Sequence, residues 1–173
     1  MNTFVLTIIG ADRAGLVDAL SEVVAEHGGS WERSQMTELA GMFAGMVLVR
    51  VADERADAFR EALVPLRDEG LLDVTLRAAA AQADDLPADA TTMRFEVVGA
   101  DRPGIVHEVS HLLAEKGVGI VDLRTWTESA AMAGDLLFRA RADVRLPSDV
   151  TVADLTAALE DLSNDLMVDL LDA

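Results

Sequence analysis

Two clusters of residues in this sequence carry types and spacings that could do chemistry. His107-Glu108-Val109-Ser110-His111 matches H-E-x-x-H, the spacing in which two histidines one helical turn apart hold Zn²⁺ and the glutamate activates water. That chemistry would be metal-assisted hydrolysis. The other cluster, Gly10-Ala11-Asp12-Arg13-Ala14-Gly15-Leu16-Val17, recurs 89 residues later as Gly99-Ala100-Asp101-Arg102-Pro103-Gly104-Ile105-Val106. Each copy follows a strand-like run and opens an amphipathic one, so it reads as a strand-to-helix turn. A helix start exposes N–H donors and a partial positive charge, where a carboxylate can dock. Gly15 and Gly104 would admit it to the backbone, Arg13 and Arg102 would clamp it, and Asp12 and Asp101 would meet an α-amino group. The competing assignment is architectural: each Asp caps its helix, each Arg pairs with that Asp, and each Gly permits the turn.

The elements that carry these residues decide between the clusters. The helix holding the histidines has its core stripe at Ile105, Val109, Leu112 and Leu113, which turns His107 and His111 towards solvent or a partner. The first copy has Asp18 and Glu22 at those places, and no third ligand sits on a defined helix or turn. Metal-assisted hydrolysis by His107, Glu108 and His111 is therefore the weakest reading, and no metal site is assigned. His27, beside Gly28-Gly29, interacts with its helix end rather than acting as a base. The chain has no cysteine, no G-x-S-x-G, no P-loop and no full G-x-G-x-x-G, so no catalytic residue and no cofactor is expected.

The repeat divides the chain into two units of one kind, residues 1–78 and 92–173, joined by an Ala-, Asp- and Pro-bearing linker at 79–91. In the first unit, Phe4 to Ile9 is a central strand, apolar on both faces, and a helix runs from about Ala14 to His27 with Leu16, Leu20, Val23 and Val24 on its stripe. Ser30 to Glu38 is a polar edge strand, a turn lies near Ala40-Gly41, and Phe43 to Val51 is a second central strand. A helix from about Asp53 to Glu69, kinked or split at Pro65, leads to a last strand, Leu71 to Arg77. The second unit repeats the order: strand Thr92 to Val98, helix Pro103 to Lys116 with Pro103 at its first position, strands Ile120 to Glu128 and Asp135 to Val144, helix Val152 to Leu162 capped by Thr151 and Asp154, and strand Leu166 to Leu171. The order βαββαβ, twice, predicts an α+β protein of two ferredoxin-like domains, each an antiparallel sheet with helices on one face. Trp31 and Trp126 fall in second strands, where they pack or line a pocket. Met36, Met42 and Met46 read as gap-filling core.

Composition narrows the partners. The chain has 31 acidic and 14 basic residues, a net charge of −17, and no run of Lys or Arg, which argues against direct nucleic-acid binding and against an anionic membrane face. Small zwitterions, cations and proteins remain. No apolar run approaches the ~20 residues of a membrane span, and Met1-Asn2-Thr3 lacks the basic start of a secretion signal, so a soluble cytoplasmic protein is expected. Sheet edges make a homodimer plausible.

The motif G-A-D-R-x-G-[LI]-V, a helix ending in E-[HK]-G (Glu26-His27-Gly28 and Glu115-Lys116-Gly117), and the doubled βαββαβ order resemble the ACT domain, and in particular its two-domain regulators. The resemblance implies a non-catalytic sensor of an amino acid or similar small carboxylate, bound between its domains, that signals to a protein partner such as a transcription factor. It assigns to the ligand Ala11, Asp12, Arg13, Gly15, Leu16 and Val17 of one turn and Ala100, Asp101, Arg102, Gly104, Ile105 and Val106 of the other. The start of the second strand in a paired domain, Ser30-Trp31 or Gly119-Ile120 with Asp122 nearby, would complete each site. Where many members carry an asparagine after the helix, this chain has Ser30 and Gly119, and Ala14 replaces the motif's proline. The alternative is an interaction module that binds no small ligand.

Overall fold

A computed structural model describes residues 1–79, 91–129, 136–162 and 166–171. The chain forms two compact units, Met1–Asp84 and Asp85–Ala173. Apart from Ala79 and Thr91 the expected linker lies outside the described residues, as does Asp135.

Unit 1 runs β1 (Asn2–Ala11), α1 (Leu16–Glu26), β2 (Ser30–Leu39), β3 (Met42–Val51), α2 (Ala56–Ala62), α3 (Val64–Asp68) and β4 (Asp73–Ala78), in sheet order β2-β3-β1-β4. Unit 2 runs β5 (Thr91–Ala100), α4 (Ile105–Glu115), β6 (Gly119–Ser129), β7 (Leu136–Leu146), α5 (Val152–Glu160) and β8 (Leu166–Leu171), in order β6-β7-β5-β8. Every pairing is antiparallel. The first and third strands of each unit are central and the second strand is an edge. In unit 1 the side chains match this place, with β1 and β3 largely apolar and β2 polar, whereas in unit 2 the central strands β5 and β7 alternate apolar and charged residues.

One face of each sheet carries the helices. In unit 1, Phe4, Leu6 and Ile8 of β1 and Val47, Val49 and Val51 of β3 meet Leu16, Leu20 and Val24 of α1 and Phe59 and Leu66 of the split helix. In unit 2, Met93, Phe95 and Val97 with Phe138, Ala140, Ala142 and Val144 meet Ile105, Val109, Leu113, Leu155 and Leu159. Pro65 splits the second helix of unit 1 by entering α3 in its first turn, where its missing N–H costs nothing. Thr151 and Asp154 form a reciprocal capping box on α5.

Two expectations fail. Pro103 is not the first helical position, because the left-handed Gly104 (φ 99°) is the N-cap and α4 begins at Ile105. Met42 and Met46 are not core. Strand alternation puts Val47, Val49 and Val51 under the helices and turns Met42 and Met46 to the helix-free face, where both are exposed, while Met36 on β2 does pack against the core.

Candidate functional site

Both strand-to-helix turns are built the same way. The N–H of Asp12 donates to the Gly41 carbonyl at 2.9 Å and that of Asp101 to the Leu136 carbonyl at 2.8 Å, which pins the end of the central strand to its neighbour. The chain then turns through Gly15 (φ 93°, ψ −4°) or Gly104 (φ 99°, ψ −9°), left-handed conformations that side chains with a Cβ resist. The first helical bond runs from the Ala19 N–H to the Gly15 carbonyl, and from Glu108 to Gly104, both at 2.9 Å. The amides of Leu16, Val17 and Asp18, and of Ile105, Val106 and His107, lie ahead of those bonds and point out of the helix. No side chain caps either helix. The Asp residues are therefore not side-chain caps, and at the first turn Arg13 is held by a backbone carbonyl rather than by Asp12.

Those partners differ. The Arg13 Nη2 donates to the Gly70 carbonyl at 2.9 Å, in the loop before β4. Arg102 instead grips Glu108 with both nitrogens, Nη1 to Oε1 at 2.6 Å and Nη2 to Oε2 at 2.7 Å. These hydrogen bonds hold the Glu108 carboxyl below its ordinary pKa. At the first turn, Asp12, Arg13, Gly15, Leu16, Val17, Asp18 and Phe43 line an open cleft of about 170 Å³. A Cβ placed on Gly15 would meet nothing within 4 Å, whereas one on Gly104 would stand 3.6 Å from Glu108 Oε1. Ala11, Ala100, Asp101 and Val106 sit at their turns as the sequence places them. Phe43 and Asp18 lie outside the sequence motif as a site: Phe43 joins through the β1–β3 register, Gly10 opposite Phe43, and Asp18 follows the motif on α1, at the place that His107 takes in unit 2.

Ser30-Trp31 and Gly119-Ile120 lie elsewhere. Ser30 pairs with Arg50, which pairs with Thr3, while the turn follows Ala11 opposite Met42. Within a unit, then, the start of the second strand and the turn are at opposite ends of the sheet, so one unit does not bring the two sets of expected residues together. Trp31 packs against the core of unit 1. Asp122 pairs with Arg124 at 3.1 Å. Each of these edge strands carries a β-bulge, between Trp31 and Arg33 and between Ile120 and Asp122.

The sequence pattern of the ACT domain matches residues 2–77 and again 92–170. The chain belongs to the ACT domain family. Its members are typically regulatory ligand-binding domains, which gives this tandem pair a regulatory role. It is similar to a UPF0237 protein of Methanopyrus kandleri, 38% identical over 79 residues that cover 44% of this chain and 88% of that one. The crystal structure of an unknown protein from Galdieria sulphuraria is 30% identical with a TM-score of 0.84, covering 98% of this chain and 96% of that one. A structure assigned as a glycine cleavage system transcriptional repressor shares the tandem ACT fold, with a TM-score of 0.73 at 19% identity over 98% and 96% of the two chains.

The other candidates of the two ACT units resolve by geometry. His107 and His111 are exposed and stack on each other with ring centroids 5.8 Å apart. Glu108, which a zinc hydrolase would need beside them, is held by Arg102, and His111 Nε2 faces Glu115 at 3.3 Å. Among the described residues no group of three or more His, Cys, Asp or Glu is placed to hold a metal ion. His27 Nδ1 lies 2.8 Å from the Val23 carbonyl, at the end of α1. Trp126 lies under the Arg141 guanidinium, 5.8 Å from its ring centroid, on the helix-free face of its sheet. No helix among the described residues is long and apolar enough to cross a membrane.

Proposed function

We propose that this protein is a non-catalytic sensor that binds an amino acid or similar small carboxylate at the first turn and passes that occupancy to a protein partner. The cleft at Asp12, Arg13, Gly15 and Phe43 carries the reading. It sets donor amides and a guanidinium beside two carboxylates, Asp12 and Asp18, which complements both ends of a zwitterion while Phe43 offers an apolar wall. Ligand shifts the population of conformers only as far as its affinity for them differs, so the turn must sit in an arrangement that the partner distinguishes. The shared fold with a protein assigned as a transcriptional repressor makes control of amino-acid metabolism through a transcription factor the analogous output. The pairing of Arg102 with Glu108 favours a second reading for unit 2 alone, that of an interaction module.

The test is a thermal-shift screen of the twenty amino acids and of acetate. A true ligand at 100 times its Kd adds about 2.7 kcal/mol to the stability of the state that binds it. Arg13→Ala and Asp12→Ala should each weaken that ligand at least about tenfold, since each removes a charge-assisted contact. If none of these compounds raises the melting temperature, the sensor reading is lost.

A further inference from the structure

We infer that Glu108 is a built-in carboxylate ligand of the second turn, so that the protein binds one small ligand per chain, at unit 1, although its sequence offers two matching turns. The inference rests on the reading of the turn as a carboxylate site.

The two turns match in backbone, as Gly15 and Gly104 differ by only a few degrees in φ and ψ and the first helical bonds are equal in length. One difference between them is the side chain one turn into the helix. Ala19 stands in unit 1 where Glu108 stands in unit 2, and a methyl group cannot reach back to the turn. Glu108 does reach back. Its two oxygens meet the Arg102 nitrogens at 2.6 and 2.7 Å, the forked geometry with which an arginine takes the carboxylate of a ligand. Its Oε1 lies over the second glycine, 3.6 Å from where a Cβ would stand. In unit 1 the corresponding arginine spends a nitrogen on the Gly70 carbonyl and the cleft beside the turn stays open.

A free acid arriving at unit 2 must displace a carboxylate tethered through one short side chain, which competes at an effective concentration on the order of mM or above. The lowered Glu108 pKa agrees with a carboxylate that stays ionised and paired. The duplication therefore leaves one responsive turn and one whose occupant is covalently part of the chain.

The experiment is chemical complementation of the full chain with sodium acetate against sodium chloride at matched ionic strength, followed by NMR on the amides of Gly104, Ile105 and Val106 and the Arg102 Nε–H. In Glu108→Ala, acetate should produce saturable shifts at these four groups, with an affinity at least about tenfold above that of the wild type. Glu108→Gln, which keeps the side chain's shape, should show the same gain to a smaller extent and serves if the alanine variant does not fold. The inference is overturned if acetate moves these groups as strongly in the wild type, or if it moves them in neither variant. The amides of Gly15 and Leu16, followed in the same samples with the twenty amino acids, report separately on unit 1. Silence there with a response at Gly104 sinks the sensor reading and leaves the role of Glu108 intact, and the reverse pattern does the opposite.

Discussion

On the helix-free face of unit 1, Thr7 stands between Met46 and Thr75, and Val5 is opposite Leu48. At the same register positions unit 2 places Glu96 between Arg141 and Asp169, and Arg94 opposite Asp143. The first face is largely apolar, with Ile9, Met42 and Met46 exposed on it. The second is an ionic lattice: Glu96, only 8% exposed, accepts from Arg139 at 2.6 Å and Arg141 at 2.8 Å, Arg139 also donates to Glu128 at 2.6 Å, and Arg94 binds both oxygens of Asp143 at 2.5 and 2.9 Å. Underneath the helices, the two units hold the same kind of side chain at nearly every matching place. The difference teaches where the fold constrains its sequence: burial under the helices fixes polarity, while the open face accepts either methionines or charges so long as a buried charge is paired.

The comparison can be broken first at Trp31. Its match in unit 2 is Ile120, beside a small crevice of about 20 Å³ bordered by Val109, Leu123 and Thr125, whereas Trp31 and Met36 pack against the core of unit 1. Trp31→Ala should cost unit 1 about 3 kcal/mol, against about 1 for Ile120→Ala, in denaturant unfolding followed by residue-resolved NMR. Gly45 comes next, because a Cβ there would press on the Gln35 carbonyl and stand 2.7 Å from Met36 Cγ. Gly45→Ala should destabilise by about 2 kcal/mol although unit 2 carries alanine, Ala140, at that very place, and Ala140→Gly by about 1.

Acid should separate the units as well. Hydrogen bonds from Arg141 hold the Glu96 carboxyl below its ordinary pKa, and those from Arg94 do the same for Asp143. Depressed native values contribute stability that is whole above about pH 5 and is lost as the pH falls towards them. Thr7 and Leu48, their matches in unit 1, carry no proton to gain. Hydrogen exchange at falling pH should therefore show unit 2 loosening through this lattice, and Glu96→Leu should remove the part of that pH dependence carried by Glu96 while the part carried by Asp143 on Arg94 remains. The smallest effect sharpens what the units share: Gly15→Ala and Gly104→Ala should each cost about 1 kcal/mol, because both turns use the left-handed region.

Much of the architecture was legible in the residues. The polarity of Ser30 to Leu39 announced an edge, Pro65 announced a broken helix, and Thr151 with Asp154 announced a cap, because each effect is local and acts through one or two side chains. The position of Pro103 misled for a related reason. Proline suits a first helical turn, but the adjacent glycine claimed the left-handed N-cap and moved the helix start past it. Met42 and Met46 misled because apolarity alone does not say which face a strand residue takes when both faces are apolar. At the candidate site, the turn itself was legible as a repeated motif. The partners of Arg13 and Arg102 were not, since one lies 57 residues away and the other belongs to a helix residue that a zinc-like spacing had already claimed.

The interruption that both outer strands share, after Trp31 and after Ile120, has a consequence for growth of the sheets. A strand laid against β2 could zip along residues 33–39, where the ladder is regular, but would lose step on reaching the extra residue at 32. The irregularity thus works as a built-in stop, setting the length of backbone that any added strand can engage and discouraging runaway stacking.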